Sequence, residues 1–433
     1  MTSAKTTSDP STKFSPALVE ACRSQFPGLS REEHGQPVVF FDGPAGTQVP
    51  RCVGDAMTHY LYHTNANHNG QFSTSVESDD RLREAHLAHA EFVGAKDGEE
   101  VAFGQNMTSL TFAFSRALGR TWKPGDEIIV SSLDHDANVT PWHVAAEQAG
   151  ATVRLVGFRP DDYTLDLDDL ANKLNDRTKL VAVGCACNAT GGINPVKRIG
   201  QMAHQVGAQV FLDAVHYGPH GLIDVVDWDC DFLACSDYKF FGPHLGMLWG
   251  RRELLESLEP YKVRPASDEL PTRWMTGTQS HESISGGVAC IDYLADIGRQ
   301  TGAPQDAGRR KALIAAFEAI VDYEKFLSSK LISGLQQIDG LEIFGITDLN
   351  RLEQRFPTFS IRHPKISSRE LARRLGQRGI FVWSGNFYAL EFANQLEVGP
   401  EGLVRIGLVH YNTAPEIDRL LVEIKHALGS AGQ

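Results

Sequence analysis

No cysteine follows Cys290 in this chain of 433 residues, which excludes a catalytic thiolate anywhere in the C-terminal third. The earlier ones are Cys22, Cys52, Cys185, Cys187, Cys230 and Cys235. Cys185 and Cys187 lie inside the apolar run "LVAVGCACN", and no second ligand pair stands at zinc-site spacing, so no metal site is expected. The cysteines read as free buried thiols in a reducing cytoplasm. Positive charge is scarce as well: 41 Lys and Arg face 54 Asp and Glu, for a formal net charge of −13. That excess argues against nucleic-acid binding, which needs clustered basic residues. No run approaches the ~20 apolar residues of a membrane span. The first residues, "MTSAKTTSDPSTKFS", lack the apolar centre of a secretory signal and are expected to form a solvated arm. Internal repeats are missing too.

What is present is an ordinary globular composition, 42% hydrophobic and 22% charged, in a chain long enough for two domains. Apolar runs such as "PVVFFDG", "DEIIVSSL", "KLVAVGCACN", "AQVFLDAVHY" and "CDFLACSDY" alternate with amphipathic helical stretches up to about residue 290. Continuous apolar strands separated by helices predict an α/β fold with a largely parallel sheet covered on both faces. Beyond "RQTGAPQDAGRR" the pattern becomes a mixture of hairpin-like strands and helices. The expected division is an N-terminal arm over 1–35, a large domain over 36–295 and a smaller α+β domain over 296–433.

The chemistry begins with two residues at strand ends. In "VFLDAVHYGPHG" Asp213 closes an apolar run, and in "CSDYKFFGPH" Lys239 sits between an apolar run and a glycine turn. A lysine resists burial without a partner, and ligands of parallel sheets bind at the carboxyl ends of strands. Alone, Asp213 would read as a helix cap. Together the pair suits pyridoxal phosphate (PLP), which takes a lysine Schiff base and a carboxylate on its ring nitrogen. Its phosphate needs donors, and "FGQNMTSLTF" offers Thr108 and Ser109 opening a helix, with Met107 beside them as a further cofactor contact. The same residues also read as an ordinary N-cap. Ser236 and Tyr238 add hydroxyls beside the lysine.

With these motifs in view, the sequence resembles the class V aminotransferase family of PLP enzymes (fold type I). Within it the likeness is to the cysteine desulfurase and selenocysteine lyase branch, from "FFDGPAGTQVP" to "VRIGLVHYNTAPEIDRLL". The resemblance implies a large domain with a mostly parallel sheet between helices, a smaller α+β domain, and a homodimer with shared sites. It gives Lys239 the Schiff base, Asp213 the ring nitrogen, and His216 with Asn188 the phenolic oxygen. "DHDANVTPW" makes His135 the imidazole that stacks on the cofactor, though alone it would read as a cap or a solvated histidine. "ACNATGGINPVKRI" selects Asn188, which is otherwise a turn residue. "WMTGTQS" makes Thr278 a phosphate contact across the dimer, beside Thr108, Ser236 and Tyr238. In "LVRIGLVHYNT" Arg405 takes the place of the arginine that grips the substrate carboxylate. Lone strand arginines are otherwise surface residues.

One segment departs from the pattern. Persulfide-forming members carry a cysteine in a stretch like "VRTGHHC", and here the residues are "VWSGNFY", with Tyr388 in the cysteine's place. A phenol does not accept sulfur as a persulfide. Asn65, Asn67 and Asn69 alternate in "HTNANHNGQF" and read as loop formers or as pocket residues for a polar side chain. Asn67 and Tyr388 are the candidates for touching the substrate beside Arg405 and Asn188. The expected activity is lyase-type chemistry at Cβ of a small L-amino acid: elimination, side-chain decarboxylation or trapping of the product by an electrophile. The alternatives are transamination or epimerisation, desulfuration or selenocysteine cleavage without a persulfide, and a silent binding relative.

Overall fold

The computed structural model describes residues 13–33 and 35–429. The polar leader lies, up to residue 12, outside the described residues. Past it, helix α1 (Pro16–Arg23) starts at Ser15, whose hydroxyl accepts from the Leu18 N–H as an N-cap. It buries Leu18, Val19 and Cys22, and Arg23 reaches the C-terminal part of the chain through Glu416 at 3.0 Å. Phe14 stacks on Tyr323 with ring centroids 5.0 Å apart. The apolar run "PVVFFDG", expected among the strands of the large sheet, instead pairs Val39–Phe40 in parallel with Ile380–Phe381. A buried apolar run fits either sheet, so its composition did not settle the partner.

The large sheet has seven strands: β1 (Val101–Gly104), β2 (Glu127–Ser131), β3 (Thr152–Val156), β4 (Thr178–Gly184), β5 (Gln209–Asp213), β6 (Phe232–Ser236) and β7 (Gly246–Gly250). Their order is β1-β7-β6-β5-β4-β2-β3, and only β7 runs against the rest. Alternate side chains go to opposite faces, and both faces are buried. Leu180 and Ala182 of β4 enter one core and Val181 and Val183 enter the other. Helices α2 (Ser73–Val93), α5 (Val196–Gln205) and α6 (His281–Thr301) cover the second face; α3 (Met107–Gly119) and α4 (Thr140–Ala149) cover the first. That double burial is why the strands read as unbroken apolar runs.

A second sheet holds β8 (Glu342–Phe344), β9 (Thr358–Arg362), β10 (Trp383–Gly385) and β11 (Leu403–Gly407) in the antiparallel order β8-β9-β11-β10. Helix α8 (Ser368–Gln377) packs on β10 and β11, and α9 (Ala414–Gly429) packs against both α8 and α7 (Arg309–Leu335). The mixed pattern of the C-terminal sequence thus forms its own α+β layer. All seven cysteines are free thiols and six are buried; Cys52 is exposed, against the expectation of burial throughout. Among the described residues no group of His, Cys, Asp and Glu is arranged to hold a metal, and no helix is long and apolar enough to cross a membrane.

Candidate active site

The carboxyl ends of β1, β2, β4, β5 and β6 share one edge of the large sheet, and the turns that follow them surround a cavity of ≈ 520 Å³. Asp213 is the last residue of β5, in register with Gly184 of β4 and Ala234 of β6. Its Oδ1 accepts from the Val215 N–H at 2.8 Å, which leaves Oδ2 for the cavity. Burial raises this carboxyl to about 6, while the Val215 N–H and the Lys239 charge pull it down.

Lys239 lies in the short turn after β6. Phe240 and Phe241 beyond it are fully buried, and Phe241 is in the left-handed region at φ 76°. Gly242 closes the turn because a Cβ there would stand 2.7 Å from the Asp237 side chain. Asp237 is itself anchored to α2 by His89 at 2.9 Å. The Lys239 amine donates to the carbonyls of Pro44 at 2.5 Å and Ala45 at 3.2 Å. That loop is knitted to the lysine turn: the Thr47 N–H donates to Tyr238 O at 3.1 Å, and the Phe241 N–H donates to Thr47 Oγ1 at 2.8 Å. Burial and the Arg405 charge lower the amine to about 7, opposed by Asp213. An amine near neutrality both releases and regains a proton at ordinary pH.

Helix α3 also begins at this cavity. Asn106 Oδ1 caps it by accepting from the Ser109 N–H at 2.9 Å, and the Met107 N–H donates to Ser236 Oγ at 2.9 Å. Thr108 also lines the cavity at this helix mouth, where free N–H groups and the helix dipole favour an anion. Gly246 of β7 permits the approach, since a Cβ there would meet the Asn106 backbone. Tyr238 stacks on His244 at 5.0 Å, and both line the same space.

His135 follows β2. Its Nδ1 accepts from the Ala137 N–H at 3.0 Å, which puts the proton on Nε2, and burial with the Lys239 and Arg405 charges lowers the ring to about 4. It is therefore neutral at pH 7. One face of the ring meets Tyr388 at 5.3 Å. His216 Nε2 and Asn188 Oδ1 are buried without hydrogen-bond partners among the described residues.

An outer chamber of ≈ 310 Å³ shares Lys239, His135, Asn188 and Tyr238 with the first cavity and adds Arg405 of β11 and the residues of "WSGNFY". Arg405 is buried; its Nη1 donates to Asn188 O at 3.0 Å, and the Phe387 ring lies 4.5 Å from its guanidinium carbon. Burial lowers Arg405 to about 10, so it stays charged.

Thus the structure brings together Met107, Thr108, His135, Asn188, Asp213, His216, Ser236, Tyr238 and Lys239 around one cavity, with Arg405 and Tyr388 in the chamber beside it. Thr278 and Asn67 are exposed and line neither space within one chain. Asn67 acts as a turn residue, accepting from the His68 N–H through Oδ1 and from the Ser75 hydroxyl through its carbonyl. Sequence reasoning missed Asp134, a buried carboxyl that accepts from Ser131 Oγ, Asn138 Nδ2 and the Gly184 N–H. Burial holds it at about 7, against those three donors. Its only signal was its place directly before His135. The Pro44 and Ala45 carbonyls gave no signal, because backbone acceptors leave no trace in residue type.

Residues 39–420 match the class-V aminotransferase family. A probable cysteine desulfurase of Synechocystis sp. is 31% identical over 425 residues, covering 95% of this chain and 96% of the relative. A cysteine desulfurase of Serratia proteamaculans is 30% identical over 422 residues, covering 94% and 97%. Among solved structures, apo cysteine desulfurase from Thermococcus onnurineus NA1 superposes with a TM-score of 0.83 at 26% identity, covering 95% of this chain and 98% of that one.

Proposed function

We propose that this chain, which belongs to the class V aminotransferase family of PLP-dependent enzymes, performs lyase-type chemistry at Cβ of a small L-amino acid. The observation that carries the reading is the placement of Lys239 and Asp213 on neighbouring strand ends, beside a substrate chamber that no cysteine lines. The cofactor's ring withdraws electrons and so stabilises negative charge beside the substrate amine. The residues fit it. Asp213 Oδ2 would hold the ring nitrogen, and its charge at pH 7 keeps that nitrogen protonated. The unpartnered His216 Nε2 would donate to the phenolic oxygen, with Asn188 beside it, and the free face of His135 would lie on the ring.

Met107, Thr108, Ser236 and Tyr238 would hold the phosphate, joined by Thr278 from a second copy in a homodimer. Ser236→Ala is expected to weaken cofactor binding by about 10- to 100-fold, the loss of one hydrogen bond to a charged group. Equilibrium dialysis against PLP checks it. Arg405 binds the substrate carboxylate with its uncommitted N–H groups, which fixes the α-carbon in front of Lys239. Lys239 then takes a proton at Nζ and returns one, and the loop bearing Phe387 and Tyr388 restricts water.

Tyr388 has no sulfur to extend, so sulfur does not leave the substrate as a persulfide on this loop. The experiment is to incubate the holoenzyme with single amino acids and identify sulfide, CO₂, ammonia or keto acid. Release of a Cβ substituent with ammonia and keto acid supports the reading. Keto acid formed only with an amino acceptor supports transamination instead, and a protein persulfide after incubation with cysteine overturns the assignment of Tyr388.

A further inference from the structure

We infer that the side chain of the amino-acid substrate is an uncharged aromatic ring, held among Trp383, Phe387 and Tyr388. This rests on the reading of the site given above. Among the described residues of one chain, the outer chamber has only two charged residues in its lining, Arg405 and Lys239. With Arg405 taken by the α-carboxylate and the Lys239 amine committed to moving the proton at the α-carbon, no uncommitted charge among the described residues of one chain remains for a carboxylate or ammonium at the end of the side chain. Burying such a group unpaired is strongly unfavourable. His135 does not supply one, because it is neutral at pH 7. Asn188, Ser384 and Asn386 offer only neutral polar groups.

What the chamber has instead is rings. Tyr238 and His135 stand on the side of the large sheet, and Trp383, Phe387 and Tyr388 on the side of the small one. Trp383 is 53% exposed and Tyr388 70% exposed, large aromatic surfaces left in water at the mouth of the chamber. Their loop is held in that posture. Phe387 and Tyr388 both take left-handed backbone angles, φ 57° in each. The Phe387 carbonyl accepts from Asn188 Nδ2 at 2.9 Å and the Tyr388 carbonyl accepts from the Asp136 N–H at 2.7 Å. Each bond ties the loop to a turn of the catalytic edge. The volume, ≈ 310 Å³, suits one side chain and not an extended one.

The test titrates the PLP-loaded protein with L-phenylalanine, L-tyrosine and L-tryptophan, and in parallel with L-alanine, L-aspartate and L-lysine, reading the cofactor absorbance. At least one aromatic amino acid is expected to bind about 10-fold or more tighter than alanine, from ring burial and stacking. In Trp383→Ala and Tyr388→Ala the preference for that ring over alanine is expected to fall toward one. Aspartate, lysine or alanine binding as tightly as the best aromatic overturns the inference, as does a preference that survives in both variants. A protein with no cofactor band overturns the functional reading and this inference with it. A band that aromatic amino acids leave unperturbed overturns this inference alone.

Discussion

Lys239→Ala is expected to remove the yellow absorbance of the PLP-loaded protein and to lower turnover by about 10⁴-fold, the upper range for losing a positioned acid–base group. Among the described residues no other lysine lines either chamber to replace it. The variant should fold. Lys239 is held at about 7 against an ordinary 10.5, so in the apoprotein the unfolded chain binds more protons than the folded one between those values. By linkage, wild-type apoprotein gains stability as pH rises through that window. Lys239→Ala lacks the gain. Thermal melts of both apoproteins at pH 7 and pH 10 check the sign: wild type rises relative to the variant at the higher pH.

The second large effect concerns Asp213. Asp213→Asn preserves the shape and an oxygen that accepts from the Val215 N–H, yet removes the charge. Turnover is expected to fall by about 10²- to 10³-fold, the scale for deleting one preorganised electrostatic contact. The carboxylate also raises the Lys239 amine, so its loss lets that amine fall further below its ordinary value. Any limb of the pH–rate profile that reports the Lys239 amine therefore moves to lower pH in the variant, and any limb that reports the Asp213 carboxyl disappears. A profile unchanged in shape, with only its height reduced, would indicate a merely structural role for this residue.

The parallel sheet was legible because strands buried on both faces carry unbroken apolar runs, and β4, with Leu180 to Val183 all buried, is the clearest example. Asp213 and Lys239 stood out for the converse reason: each is a charged residue where such a run ends. "PVVFFDG" looked the same as those strands and paired elsewhere, since apolarity identifies a buried strand without identifying its neighbour. Asp134 stayed hidden because its role is set by donors from the ends of β2 and β4, Ser131 and Gly184, and from Asn138 in its own turn. Tyr388 was visible as a substitution within a resembling segment. Its left-handed backbone and its stacking on His135 were not, because a tyrosine gives no sign of a positive φ. Thr278 and Asn67 lie on the surface of the single chain, where only a second copy would bring them to a site.

The most direct test of the central claim is borohydride reduction of the PLP-loaded protein, followed by proteolysis and mass spectrometry of the peptides. The account predicts one reduced cofactor per chain, on the peptide containing Lys239. Cofactor on a different lysine, or no covalent mass at all, contradicts it.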